Sequence, residues 1–99
     1  MSRRAVRWSA EAERDLNDIV SHVAKDSPVN ALALARRFLA KVERLGPFPK
    51  SGRVVPELAD LESPPREVVV GDYRVLYRLH AQAVEIAAVV HARRLLPPP

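Results

Sequence analysis

No cysteine occurs among the 99 residues, so disulfides and thiolate-bound metals are excluded and nothing points to an oxidising compartment. Long apolar runs are missing as well. The longest, such as Ala31 to Ala35 and Ile86 to Val90, fall far short of the ~20 residues that span a bilayer. The stretch Ser2-Arg3-Arg4-Ala5-Val6-Arg7-Trp8 is basic but runs into Glu11 and Glu13, without the apolar segment of a secretory signal, so a cytoplasmic protein is expected. Glycine is scarce. The segment Gly46 to Gly52 has the outline of a phosphate loop, yet its prolines remove N–H donors and no Gly-Lys-Ser/Thr opens a helix. None of the six serines stands in a Gly-x-Ser-x-Gly elbow, which leaves covalent hydrolase chemistry unsupported. The five aromatics fall mostly at core-phase positions, which argues against a stacking platform for single-stranded RNA. His22 lies one turn from both Asp18 and Asp26 on a helix, but no third ligand converges with them. Neither a metal nor a cofactor is expected.

What is present is arginine. Sixteen basic residues against twelve acidic ones leave a net charge of +4, and thirteen of the sixteen are arginine. Arginine grips carboxylates and phosphates through two parallel bonds, so the balance suits an acidic protein segment or a nucleic acid. The charge is also uneven: residues 36 to 53 carry Arg36, Arg37, Lys41, Arg44, Lys50 and Arg53 against Glu43 alone. An ordinary solvated helix face is the bland alternative.

One domain fits the whole chain, residues 1–99, because a chain of this length buries roughly 65% of its unfolded surface in a single modest core. A short strand over Ala5 to Trp8 meets Ser9, a good N-cap, and Glu11 and Glu13 then sit at the positive end of a helix dipole. Ala12, Leu16, Ile19, Val20 and Val23 recur with helical spacing. Asp26-Ser27-Pro28 ends that helix and starts a second, with Ser27 as cap and Pro28 at the first helical position. The second helix carries Ala31, Ala35, Phe38, Val42 and Leu45 on one stripe, with Leu32 and Leu39 beside it, and closes at Gly46-Pro47. So short a link makes an antiparallel helical hairpin. The connection from Gly46 to Pro65 holds five of the nine prolines and reads as a long loop. The terminal Pro97-Pro98-Pro99 ends the last strand.

Between Arg66 and Arg94 the period becomes two. Tyr73, Val75, Tyr77 and Leu79 share one side of a strand and Arg74, Leu76 and Arg78 the other. Gly71-Asp72 supplies a two-residue hairpin turn, which sets Val70 opposite Tyr73, Val69 opposite Arg74, Val68 opposite Val75 and Glu67 opposite Leu76. Glu67 then lies diagonal to Arg74 and Arg78. In the next strand, burying Val84, Ile86, Ala88 and Val90 leaves His91 beside the arginines. The architecture expected is a two-layer α+β domain in the order β-α-α-β-β-β, its sheet roofed on one side by the helices and bare on the other, where Arg74 projects into solvent.

Several local words, taken in order, resemble the RelE/ParE superfamily of bacterial type II toxins, most strongly its ParE branch. They are Trp8-Ser9 with Ala12 and Asp15-Leu16; Ala24-Lys25-Asp26-Ser27-Pro28; Leu45 to Phe48-Pro49; Gly52-Arg53; Val55-Pro56-Glu57-Leu58; Arg66-Glu67-Val68; Gly71 to Arg78; and His91-Ala92-Arg93-Arg94. The resemblance implies a toxin neutralised by a cognate antitoxin, encoded beside it, with a ribbon-helix-helix or similar DNA-binding start and an acidic tail. ParE-like members poison DNA gyrase, whereas RelE-like members cut mRNA on the ribosome. Carried onto this chain, an endonuclease would use Arg74, Glu57 and His91. The C-terminal tyrosine of many cutters has no counterpart in Arg93-Arg94-Leu95-Leu96-Pro97, which favours a non-catalytic toxin. Binding is expected through Arg66, Arg74, Arg78, His91, Arg93 and Arg94.

Overall fold

Ser9 ends one element and begins the next. Its hydroxyl accepts from the Ala12 N–H at 3.0 Å, capping the first helix, and donates at 3.1 Å to the carbonyl of Ala87 in the last strand. In the computed structural model, which describes residues 3–97, strand β1 (Ala5–Trp8) leads through this cap into α1 (Ala10–Asp26). Ser27 both closes α1, its N–H bonded to Val23 O, and caps α2 (Pro28–Glu43) by accepting from the Asn30 N–H. The chain then passes through β2 (Arg53–Val54), a single 3-10 turn (Pro56–Leu58), β3 (Arg66–Val70), β4 (Tyr73–Leu79) and β5 (Ala83–His91). Met1, Ser2, Pro98 and Pro99, and with them part of the proline ending and both ends of the 1–99 span, lie outside the described residues.

The sheet has five strands in the order β1-β5-β4-β3-β2, with β1 parallel to β5 and the other pairs antiparallel. The expected order of one strand, two helices and a meander holds. The addition is β2, two residues long and lying between Pro49 and Pro56, inside what reads from sequence as loop. Two residues carry too little period for a pattern to reveal them; pairing with Glu67 and Arg66 makes them a strand.

Gly71 has φ +56° and Asp72 does not have positive φ, as in a II′ turn, and the expected register of β3 against β4 is found at every pair. The helices cover one face. Ala12, Phe38, Val42 and Leu45 pack there on Val68, Val70, Val75, Tyr77, Val84, Ile86 and Val89. Leu32 and Leu39, placed beside the buried stripe by their spacing, instead face outward, about half exposed.

The last strand departs from simple alternation. Tyr77 pairs with Ile86 but Leu76 pairs with Ala88, so Ala87 is an extra residue, a bulge that moves everything after it to the opposite face. Val84 and Ile86 point to the helices as expected, whereas Ala88 and Val90 point away and Val89 takes their place in the main core. The helix α1 supports this break: Ser9 takes the Ala87 carbonyl, and Asp15 Oδ2 accepts the Val89 N–H at 2.9 Å.

The sheet's other face is not bare. Val55, Leu76 and Val90 form a second, smaller core there, with Leu58, Ala88 and Leu96 against it. The 46–65 connection, through Val55 and Leu58, and the C-terminal tail, through Leu96, fold back over that face. Among the described residues no helix is long and apolar enough to cross a membrane.

Candidate functional site

Beneath this cover lies Arg74. Its alternation places it away from the helices, as expected, yet it is only 4% exposed, because the loop and tail close over it. Two carboxylates make that burial tolerable. Arg74 Nη1 and Nη2 each donate at 2.8 Å to Glu57, one to each oxygen, and Nε donates at 2.6 Å to Glu67. Glu67 is 1% exposed and accepts from Arg53 Nε at 2.7 Å through its second oxygen. A buried carboxylate needs both oxygens engaged, and here each has a cation.

Glu57 comes from the 3-10 turn, which aims it at the sheet because Val55 and Leu58 on either side of it enter the second core. The hydrogen bonds from Arg74 hold its carboxyl down to about 2, against an ordinary 4.5, outweighing the opposing effect of burial. The same contacts push the Arg74 guanidinium upward, Glu57 contributing most. The network also grips the tail: Arg74 Nη1 donates to the Arg94 carbonyl at 2.8 Å, and the Leu96 N–H donates to Glu57 Oε2 at 3.1 Å. Arg93, Arg94 and Leu95 are thereby held outward and exposed.

The remaining expected residues separate. Glu57 and Arg74 meet, but His91 does not join them: the bulge at Ala87 turns it to the helix side, where its ring stands edge-on to Tyr73 at 5.7 Å between centroids. There His91 Nδ1 accepts the Arg93 N–H at 3.1 Å. Sequence alternation misplaced it because a one-residue insertion leaves no mark in a run of alanines and valines.

Arg66 opens β3, paired with Val54 on one side and Tyr77 on the other, and its side chain donates to the Gly52 carbonyl at 2.8 Å. Arg78 is exposed and lies opposite Glu85, but Glu85 bonds His80 at 3.1 Å instead. Of the two arginines expected diagonal to Glu67, Arg74 pairs with it and Arg78 does not; Arg53 takes the second oxygen. The expected cationic surface is thus split: Arg74 is internal, while Arg66, Arg78, Arg93 and Arg94 stay at the periphery. Arg53 is the residue that sequence reasoning missed, since its role depends on the unseen β2.

Behind the network, Tyr77 fixes the connection. Its hydroxyl donates to the Pro49 carbonyl at 2.8 Å and accepts the Gly52 N–H at 2.9 Å, and burial pushes its pKa up. Gly52 passes so close that a Cβ there would stand 2.5 Å from the Glu67 carbonyl oxygen.

Residues 6–96 match the sequence profile of the family described as ParE toxin of type II toxin-antitoxin system, parDE. The chain belongs to that toxin family. It is 35% identical over 99 residues to the protein named "Putative toxin Y4kP" from Sinorhizobium fredii (strain NBRC 101917 / NGR234), covering 98% of this chain and 97% of that one. Among solved structures, the chromosomal ParDE toxin-antitoxin system from P. aeruginosa matches with TM-score 0.74 at 18% identity, over 91% of this chain and 97% of that one. The toxin-antitoxin complex RelBE2 from Mycobacterium tuberculosis matches with TM-score 0.61 at 24% identity, over 92% and 93% of the two chains. At those identities the likeness is one of fold, and the ParE and RelE branches share it.

Proposed function

We propose that this ParE-family toxin acts by binding and blocking a protein target, DNA gyrase, and that a cognate antitoxin neutralises it. The observation that carries the reading is the mutual engagement of Arg74 and Glu57. A ribonuclease of this fold needs a free base near the ribose hydroxyl and a cation open to the scissile phosphate. Here the two best candidates satisfy each other inside the protein. Glu57, held near pKa 2, is a poor proton acceptor at neutral pH, and His91 works on the other side of the sheet. What the network leaves outside is a tail bearing Arg93, Arg94 and Leu95, the last 81% exposed, on a fixed support. A rigid apolar and cationic tip suits a protein groove better than it suits cutting chemistry.

The antitoxin partner follows from family membership and from the charge. An acidic C-terminal segment, attached to a ribbon-helix-helix or similar DNA-binding start, matches a chain of net charge +4.

Purified protein added to gyrase and relaxed plasmid is expected to inhibit supercoiling or trap cleaved DNA, with the effect reversed by the antitoxin. Full supercoiling at stoichiometric excess, with new 5′ ends on ribosome-bound messages after induction, would replace the reading with the endonuclease alternative. Harmless expression without the antitoxin gene would point to a degenerate toxin that retains only antitoxin binding.

A further inference from the structure

Strand β4 runs past its neighbour. The ladder between β3 and β4 begins at the pair Arg66 and Tyr77, so Arg78 and Leu79 continue with β5 alone. Pro64 and Pro65 stand where β3 would have to extend, and neither has an N–H to give. The His80 N–H bonds the Ala83 carbonyl and closes the hairpin with β5, and alternation then turns the backbone of Leu79 to the opposite side, into the gap. There, among the described residues, its N–H has no backbone partner.

The gap forms a hollow of about 430 Å³. Ser63, Arg66, Arg78 and His80 line it with polar groups, and Pro64 and Leu79 supply an apolar wall. No carboxylate lines it. Asp60 and Glu62 belong to the same loop but stand outside, and Glu85 lines the neighbouring hollow with Arg7, where His80 Nε2 engages it at 3.1 Å. The donors are largely unspent. Arg78 is exposed and, among the described residues, has no carboxylate within ion-pair distance, while Arg66 gives Nη1 to the Gly52 carbonyl and keeps its other N–H groups.

We infer that this hollow binds the phosphate of a nucleotide, with Arg66, Arg78, His80 and the Leu79 N–H around its oxygens and the wall of Pro64 and Leu79 against the sugar or base. A carboxylate has two oxygens, which one guanidinium fork satisfies. A phosphate monoester has three terminal oxygens, which match two forks, an imidazole and a backbone donor. The hollow also falls within the range of roughly 300–1,000 Å³ that small-molecule sites occupy, more room than a phosphate alone would fill. A free nucleotide and the phosphorylated end of a nucleic-acid strand offer the same chemistry, and the test separates them. The inference stands apart from the gyrase reading, because none of these residues belongs to the Arg74 network or the tail.

The test uses the full chain, isotope-labelled, titrated with inorganic phosphate, with thymidine 5′-monophosphate and with a short single-stranded oligonucleotide carrying a 5′-phosphate. The expected result is saturable amide shifts centred on Ser63, Arg66, Arg78, Leu79 and His80, with the nucleotide bound more tightly than phosphate. Arg78→Gln should weaken nucleotide binding about tenfold, the worth of one charge-assisted contact, whereas Arg7→Gln beside the neighbouring hollow should not. If Arg78→Gln unfolds the protein, His80→Gln serves, with a smaller loss expected. An oligonucleotide that binds about tenfold or more tighter than the mononucleotide supports the site and marks a strand end as its source; equal affinities support it and mark the free nucleotide. Shifts centred outside the hollow, unchanged affinity in the folded variant, or glutarate that displaces the nucleotide as well as phosphate does would each overturn the inference.

Discussion

Arg74 and Glu57 meet through two parallel N–H···O bonds of 2.8 Å across the face of the sheet that the helices leave free. Their pairing organises that face. It brings the 3-10 turn down onto the strands, closes Glu67 from solvent and anchors the backbone of the tail at Arg94 and Leu96. Replacing Arg74 with Ala is therefore expected to destabilise the protein strongly, by about 3 kcal/mol, because Glu67 would keep only Arg53 as a counter-charge. Denaturant unfolding of the variant and the wild type checks this. A change within experimental error would mean that Arg74 stands in solvent, as its alternation alone suggests.

The depressed pKa of Glu57 makes one part of this stability depend on pH. A carboxylate lowered from 4.5 to about 2 contributes stability that is fully present above about pH 4.5 and is lost as the pH falls toward 2. The variant Glu57→Gln cannot titrate there. The difference in unfolding free energy between wild type and variant should therefore be constant from neutrality down to about pH 5 and shrink below it. A difference that grew with acidity would contradict the assignment. Glu57 is partly exposed, so solvent screening reduces the size of the effect but not its sign.

Much of this fold is legible from the residues. Ser9, Ser27 and Pro28 announce the two helices, and Gly71-Asp72 sets the register of β3 and β4 at each pair. The site is less legible, for two reasons. The bulge at Ala87 depends on tertiary bonds from Ser9 and Asp15, some 75 positions away in sequence, which no local period encodes. The burial of Arg74 depends on a proline-bearing loop folding back, and a proline signals that regular structure stops without saying where the chain goes. Glu57 was identifiable as a candidate residue, but not as the partner that takes Arg74 out of play.

Those bonds to the bulge predict a local effect. Asp15→Ala should leave the Val89 N–H without its acceptor and speed its hydrogen exchange relative to the rest of β5. Ser9→Ala should cost more than an average cap, about 2 kcal/mol, since the hydroxyl serves both the Ala12 N–H and the Ala87 carbonyl. Amide exchange and thermal unfolding of the two variants measure these effects. Equal protection of Val89 with and without Asp15 would show that the strand holds its bulge unaided.

Tyr77 gives a parallel test of the connection. Removing its hydroxyl in Tyr77→Phe strands the buried Gly52 N–H and frees Pro49, at a cost of about 1–3 kcal/mol. Gly52→Ala should be worse, because the added methyl would meet the Glu67 carbonyl oxygen at 2.5 Å and the Tyr77 oxygen at 2.6 Å, and neither strand can retreat. Unfolding curves should rank the variants in that order. An unaffected Gly52→Ala would show that the loop shifts freely.

Stability and toxicity should come apart at the tail. Arg93 and Arg94 are exposed, and what the network holds nearby is the Arg94 carbonyl and the Leu96 N–H, which survive a change of side chain. Changing both arginines to Ala should thus leave the unfolding midpoint within about 0.5 kcal/mol of wild type. If the tail is the target-binding tip, growth inhibition and the inhibition of gyrase should fall about tenfold or more, as for arginines at the centre of an interface. Arg74→Ala, by contrast, should lose both together, because the tail loses its anchor when the fold loses its ion network. A double arginine variant as toxic as wild type would move the target-binding surface away from the tail, toward Arg66 and Arg78 at the other end of the sheet.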